Sequence, residues 1–202
     1  MKLAQLHTPR ISRRALTTGA LALVALAASG AAIAQPQAPK TIRIIVAYPA
    51  GGVSDVIARA LGEKLSAQLG SAVVVENKAG ASGTIGMDAV AKAPADGSVL
   101  GFSAISPLVL SPHLGKLPFD PQKDIAPVAS VMVSPVMLLA TSASKSQDFA
   151  GLVSEAKASP GAIRWATSGQ ASLGHIMLEQ LRAATGVDIT HVPYKGGGQQ
   201  LN

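Results

Sequence analysis

Residues 42–69 read IRIIVAYPAGGVSDVIARALGEKLSAQL, and the change of period inside this stretch decides the fold. Residues 41–47 are a continuous apolar, β-branched run, the pattern of a strand covered on both faces. Pro49, Ala50, Gly51 and Gly52 then interrupt it with turn chemistry. From Ser54 the apolar residues Ile57, Leu61, Leu65 and Leu69 recur every four positions, with Arg59, Glu63 and Lys64 off the stripe. That spacing predicts an amphipathic helix opening on Ser54 and Asp55, either of which would cap it. Gly70 stands where a left-handed C-cap would stop it. A strand-to-helix turn of this kind leaves backbone N–H groups unpaired at the positive helix end, where proteins hold anions.

The same alternation continues outward. Residues 72–76 read as a second strand, 78–83 as a flexible turn, 85–93 as a short helix and 99–103 as a third strand. This β-α-β-α-β order predicts an α/β fold with a parallel, doubly wound sheet. Residues 106–124 are loop-like, with Pro107, Pro112, Pro118 and Pro121. Two apolar runs, 128–133 and 136–141, are separated by Ser134 and Pro135, and proline donates nothing to a ladder, so Pro135 reads as a break. A helix over 147–158, a strand over 163–167, a helix over 173–184 and a strand over 189–192 follow. A second α/β unit therefore begins near Ser134, which divides the mature chain into a first lobe, 41–134, and a second, 135–202. Residues 194–199 start another strand-to-helix turn just before Asn202, so the expectation is a C-terminally truncated second lobe.

Residues 1–34 stand apart. Lys2, Arg10, Arg13 and Arg14 precede an apolar run over 21–28 that ends in Ala32, Ile33 and Ala34, the pattern of a secretory signal cleaved after Ala34. Interruptions by Thr17, Thr18, Gly19, Ser29 and Gly30 leave too short an apolar core for a membrane span. Residues 12–16 (SRRAL) also partly match a twin-arginine signal. Residues 35–40 are a Pro-rich lead-in. The whole chain carries 17 basic and 11 acidic residues. Four of the basic residues and none of the acidic ones lie in the signal, so the mature part is only +2. That balance, with six aromatic residues in all, removes the case for a nucleic-acid partner. Cysteine is absent, which excludes disulfides, cysteine catalysis and thiolate metal sites.

Chemistry-bearing residues cluster in two turns. The first, 49–55, lacks both the G-x-x-x-x-G-K-[ST] loop and the G-x-G-x-x-G fingerprint, and what remains suits a small anion such as a carboxylate. Asp55 would repel that anion unless it caps the helix or faces a cation. The second turn, Thr167, Ser168, Gly169, Gln170, Ala171, Ser172, repeats the design and precedes His175. Ser168 or Ser172 with His175 gives a serine-hydrolase alternative, although no G-x-S-x-G elbow is present. The histidines show no metal-ligand spacing, and no cofactor is expected. A non-functional truncated product is the third reading.

The blocks YPAGGVSDVIARAL, VVVENKAGASGTIGMDAVAKAPADG, LPFDPQKDIAPV, AKASPGAIRWATSGQASLGH and THVPYKGGG resemble, in order from about residue 40, the extracytoplasmic solute receptors of tripartite tricarboxylate transporters, the Bug receptors. The resemblance implies a non-enzymatic, periplasmic, monomeric binding protein of the type II class, with two α/β lobes that close on a ligand in the cleft between them. The ligand would be a di- or tricarboxylate, an acidic amino acid or an aromatic acid, delivered to the membrane permease subunits or sensed. By position the resemblance assigns ligand contacts to Ala50, Gly51, Gly52 and Asp55 on one lobe and to Thr167, Ser168, Gly169 and His175 on the other. Ser103 and Ala104 would line the hinge side, and His191, Tyr194 and Lys195 would be framework near the mouth. The chain departs from the family's first loop, which has two prolines before the glycines, in placing Ala50 after Pro49.

Overall fold

The computed structural model describes residues 39–201, so the expected signal segment and its cleavage point lie outside the described residues. The first half forms β1 (Thr41–Val46), α1 (Val53–Leu69), β2 (Ala72–Asn77), α2 (Thr84–Ala91) and β3 (Val99–Phe102). Its three strands lie in the order β2-β1-β3, both pairings parallel, with Ile44 opposite Val75 on one side and Leu100 on the other. The chain thus leaves β1 toward one edge and returns to the other. Right-handed crossovers then require α1 and α2 to cover opposite faces. Two separate cores fit this arrangement. Ala58, Ile57, Leu61 and Leu65 of α1 pack on Ile44, Val46 and Phe102, while Met87 and Val90 of α2 pack with Ala47 and Phe119. Burying a side chain such as Ile44 or Ile45, each 2% exposed, contributes about 2 kcal/mol.

The second half contains α3 (Phe149–Ala158), β4 (Arg164–Thr167), α4 (Leu173–Thr185), β5 (Thr190–Pro193) and the short α5 (Gly197–Leu201). β4 and β5 pair in parallel, and Ala156, Leu178, Leu181, Val187 and Ile189 form their core with Val153, Ile163 and Trp165. The helix ends follow local chemistry. Asp148 caps α3 by accepting from the Gly151 N–H at 2.7 Å, and Ser172 caps α4 by accepting from the His175 N–H at 3.3 Å. Gly70 and Gly186 end α1 and α4 in the left-handed conformation.

Between the halves, residues 125–141 carry no regular secondary structure. The apolar runs 128–133 and 136–141 therefore lack ladders, and Val128 and Val133 are 84% and 94% exposed. Met132 is the exception, since it packs into the α1-side core.

Candidate ligand-binding site

In parallel α/β sheets ligands collect where strands end and the order reverses. Here that point lies beyond the carboxyl ends of β1 and β3, between residues 48–55 and 103–106. The first turn is built around Asp55, which is 4% exposed. Its Oδ2 accepts from the Gly51 N–H at 2.9 Å and from Arg59 Nε at 3.1 Å, and its Oδ1 accepts from Asn77 Nδ2 at 2.9 Å. Arg59 Nη2 lies 3.0 Å from the same Oδ1. The Arg59 guanidinium, then the Gly51 N–H, then Asn77 hold this carboxyl well below its ordinary range, at about 2. Asn77 also donates to the Tyr48 carbonyl at 3.1 Å, so the end of β2 fixes both sides of the turn.

This geometry corrects the reading of Ser54 and Asp55 as helix caps. The N-cap is Gly52, in an extended conformation and without a side-chain bond. Asp55, three residues into α1, reaches back to the turn instead. Gly51 and Gly52 are also unequal. Gly51 alone has a left-handed φ, +78°, and its N–H is committed to Asp55, while the Gly52 N–H bonds the Pro49 carbonyl at 3.4 Å. The N–H groups of the helix's first turn, Val53, Ser54 and Asp55, have no intrahelical acceptor. Gly51→Ala is expected to cost about 1 kcal/mol through its φ. At Gly52 the nearest atom to an added Cβ would be the Pro49 carbonyl at 3.4 Å, so Gly52→Ala should stay within about 0.5 kcal/mol. Urea midpoints of the two variants would check the ordering, and equal losses would contradict it.

The second turn joins β4 to α4. Thr167, 2% exposed, bonds Gly169 at both backbone groups, at 3.1 Å to its carbonyl and 3.3 Å from its N–H. His175 turns its Nδ1 to the Ala171 N–H at 3.1 Å, and Ala171 holds a left-handed φ of +62°. Ser172 Oγ is occupied by the α4 cap. Among the described residues neither Ser168 nor Ser172 is bonded to the His175 ring, so the serine–histidine nucleophile of the hydrolase alternative is not assembled.

The structure brings the two halves together at their strand-end loops, though not as two facing glycine turns. Ser82 Oγ donates to the Gln170 carbonyl. A Cβ on Gly169 would lie 2.5 Å from Ser82 Oγ, and one on Gly196 would lie 2.5 Å from Pro49 Cδ. The first turn thus abuts residues 196–198, whereas the second abuts the turn at Ala81–Gly83. Ser103 and Ala104 sit beside the Tyr48 hydroxyl, whose pKa burial raises against the lowering contacts of Ser103 and Ala104. Sequence reasoning missed Ser82, Asn77 and Gly196. Ser82 carried no signal, because its left-handed φ of +52° is rare for a non-glycine residue. Asn77, the last residue of β2, was visible as a polar residue at a strand's carboxyl end. A cavity of about 410 Å³ lies elsewhere, lined by Leu108, His113, Asp120 and Ile125 among others, and none of the loop residues named above lines it. Among the described residues no group of His, Cys, Asp and Glu is placed to hold a metal, and no helix is long and apolar enough to cross a membrane.

Polar turns thus meet at the carboxyl ends of two parallel sheets, the place where α/β proteins hold small ligands. The chain belongs to the receptors of the tripartite tricarboxylate transporter family, whose model matches residues 57–202. It is 37% identical over 188 residues to the protein BugT of Bordetella pertussis, covering 90% of this chain and 58% of BugT. Among solved structures it resembles MatC of Rhodopseudomonas palustris with bound malate, at TM-score 0.73 and 30% identity, over 80% of this chain and 55% of that one. It also resembles R. palustris Rpa4515 with adipate, at TM-score 0.72 and 32% identity, over 81% of this chain and 55% of that one. Other structural neighbours are periplasmic proteins. The chain spans about half the length of the relatives it matches. Membership places it among receptors rather than enzymes.

Proposed function

We propose that this chain is the ligand-gripping part of a periplasmic solute receptor of the type II two-lobed class, with lobes over 41–134 and 135–202 and the ligand between them. The observation that carries this reading is the meeting of the polar turns after β2 and β4, beside the turn after β1 that presents the uncapped first turn of α1. The ligand is a small carboxylate, a di- or tricarboxylate, an acidic amino acid or an aromatic acid. Malate and adipate in the two related structures support that class. The partner is the permease of a tripartite tricarboxylate transporter, or the bound state is sensed.

Within this reading the contacts of the first turn shift by a few residues from the glycines to the α1 amides. Asp55 already occupies the Gly51 N–H, so the carboxylate takes its donors from Val53 and Ser54, beside Ala50 and Gly52. Ser168, with Thr167 and Gly169 behind it, supplies the facing side, and Ser103 and Ala104 close the hinge side. Asp55 and His175 act through the turns they hold. A micromolar receptor needs about −8 kcal/mol, and a few charge-assisted bonds from fixed amides supply much of it. Lobe closure follows from the ligand's greater affinity for the closed state.

Thermal unfolding of the chain with malate, adipate, citrate, glutamate and benzoate tests this. At a hundredfold excess over Kd a ligand stabilises by about 2.7 kcal/mol, and at least one acid should raise the melting temperature without being consumed. No shift with any carboxylate refutes the reading, and turnover of an ester substrate lost in Ser168→Ala or Ser172→Ala would restore the hydrolase.

A further inference from the structure

Two imidazoles lie against each other behind the second turn. The rings of His175 and His191 are stacked, with centroids 4.1 Å apart and planes 3° from parallel. Each grips the turn from its own side. His175 accepts the Ala171 N–H at Nδ1. His191 Nε2 stands 2.7 Å from Thr167 Oγ1, the hydroxyl that bonds both backbone groups of Gly169. The turn between them contains the left-handed Ala171 and Gly169 at φ +148°. A non-glycine residue in that region is strained and persists only where its surroundings hold it.

An imidazole nitrogen that accepts a hydrogen bond carries no proton. The Ala171 contact therefore fixes His175 as the neutral ring with its proton on Nε2, which lies 3.4 Å from Glu179 Oε1. Glu179 is itself engaged by Arg182 Nη1 at 2.6 Å, and Arg182 also donates to the Ile189 carbonyl. The charged neighbours of the pair are thus Glu179 and Arg182 on α4, with the second imidazole on β5. Thr167 and Trp165 face it from β4 without charge. Burial, then the adjacent His175, then Arg182 lower the His191 pKa. For such a group the folded state binds fewer protons than the unfolded one, so its stabilising contribution is complete above the ordinary imidazole range. It is lost as pH falls through the lowered value.

We propose that the His175–His191 stack is a pH-responsive latch that positions the Thr167–Ser172 turn for its carboxylate ligand, a role that rests on the receptor reading above. Protonation of His175 at Nδ1 turns an acceptor into a donor aimed at the Ala171 N–H. That bond breaks, and the strained turn loses its restraint. Charging either ring also opposes charging the other across the stack. Grip on an organic acid is therefore strongest when both rings are neutral and weakens when either takes up a proton. His175 and His191 are positioning residues, since neither needs to touch the ligand.

The test follows the chain between about pH 8 and pH 5, a window that reaches below the ordinary imidazole range because the His191 pKa is lowered, yet stays above the ordinary range of simple carboxylic acids. Long-range ¹H–¹⁵N correlation should show His175 with a bare Nδ1 at the upper pH. Trp165 is the chain's single tryptophan and donates to the Gly174 carbonyl in the first turn of α4 at 3.1 Å, so its fluorescence reports the turn. Its emission should shift as pH falls. The affinity for malate or adipate, measured by calorimetry, should drop roughly tenfold, the worth of one lost buried hydrogen bond. His175→Asn places a non-titrating acceptor near Nδ1. It should bind better than His175→Ala and show a smaller emission shift and pH step, and adding His191→Gln, a non-titrating group near Nε2, should remove both. A proton on Nδ1 at pH 8, a step that survives when both histidines are replaced, or affinity that rises toward acid overturns the latch. Should neither acid bind at pH 8, the carboxylate reading fails by itself, and the tautomer with the Trp165 shift still decides the latch.

Discussion

Replacing Asp55 with alanine is expected to lower the unfolding free energy by about 3 kcal/mol, or the melting temperature by about 6–12 °C, and to abolish stabilisation by carboxylates. The size follows from what the carboxylate holds. It is buried and accepts from Gly51, Arg59 and Asn77, three groups from the turn, α1 and β2. Removing it strands the Gly51 N–H and one of the two Asn77 amide protons without acceptors, the other remaining on the Tyr48 carbonyl. Arg59 is half exposed and finds water, so Arg59→Ala should cost about 1 kcal/mol or less. Asp55→Asn separates charge from shape, because its amide nitrogen must face one of the donors that the lost oxygen satisfied. It should fall between the two. The pH dependence has a definite sign. Its neighbours hold the folded carboxyl at about 2 against an ordinary 3.8, so the folded state binds fewer protons than the unfolded chain between those values. Its contribution is complete above about pH 4 and is lost as pH falls toward 2. An Asp55→Ala chain as stable as the parent, or one whose acid unfolding is unchanged, would show that the turn is held by other means.

The sequence displayed its elements through periodicity. The shift from the unbroken run before Tyr48 to the four-residue recurrence of Ile57, Leu61 and Leu65 was enough to place β1 and α1 within a residue or two. Gly70 was legible because a left-handed stop leaves glycine few competitors. Periodicity was silent where partners decide structure. Residues 128–133 have the composition of a strand, yet a strand exists only where a ladder forms, and none reaches them. The site was legible in its location and less so in its wiring. Asp55 at the start of a helix invites the capping interpretation, and only the fold brings Asn77 and Gly51 to opposite oxygens of its carboxylate. His175 showed itself as a polar residue beside a glycine-rich turn. Its partner His191 is sixteen positions away on the adjacent strand, and the stack depends on the parallel register that sets Trp165 opposite His191. The Ser82–Gln170 contact joins residues 88 apart, across two sheets that share no local pattern.

That contact makes Gly169→Ala a second variant with a large expected effect on binding. Gly169 holds φ +148°, which an alanine adopts only with strain, and the new Cβ would lie 2.5 Å from Ser82 Oγ and 3.3 Å from the Tyr194 carbonyl. Ordinary contact requires about 1 Å more on the Ser82 side, so the turn after β4 must withdraw from the turn after β2. Gly169 belongs to none of the three hydrophobic cores, and most of the loss should therefore appear in affinity, with about 1–2 kcal/mol in stability from the strained φ. A displacement of that size between groups that must grip one small carboxylate is worth roughly a hundredfold in affinity. Ser82→Gly separates the clash from the strain. It removes the hydroxyl in the way and suits the left-handed φ of +52° at that position, while the strain at residue 169 stays. In a double-mutant cycle with malate or adipate titrations, Ser82→Gly should recover about tenfold of the affinity lost in Gly169→Ala, a coupling above 1 kcal/mol. Additive losses would mean that the two turns do not meet in the bound state, and the ligand would then lie against one sheet alone. Recovery would show that the turn after β4 closes on the turn after β2 in the bound state, the contact that sets Ser168 for the carboxylate.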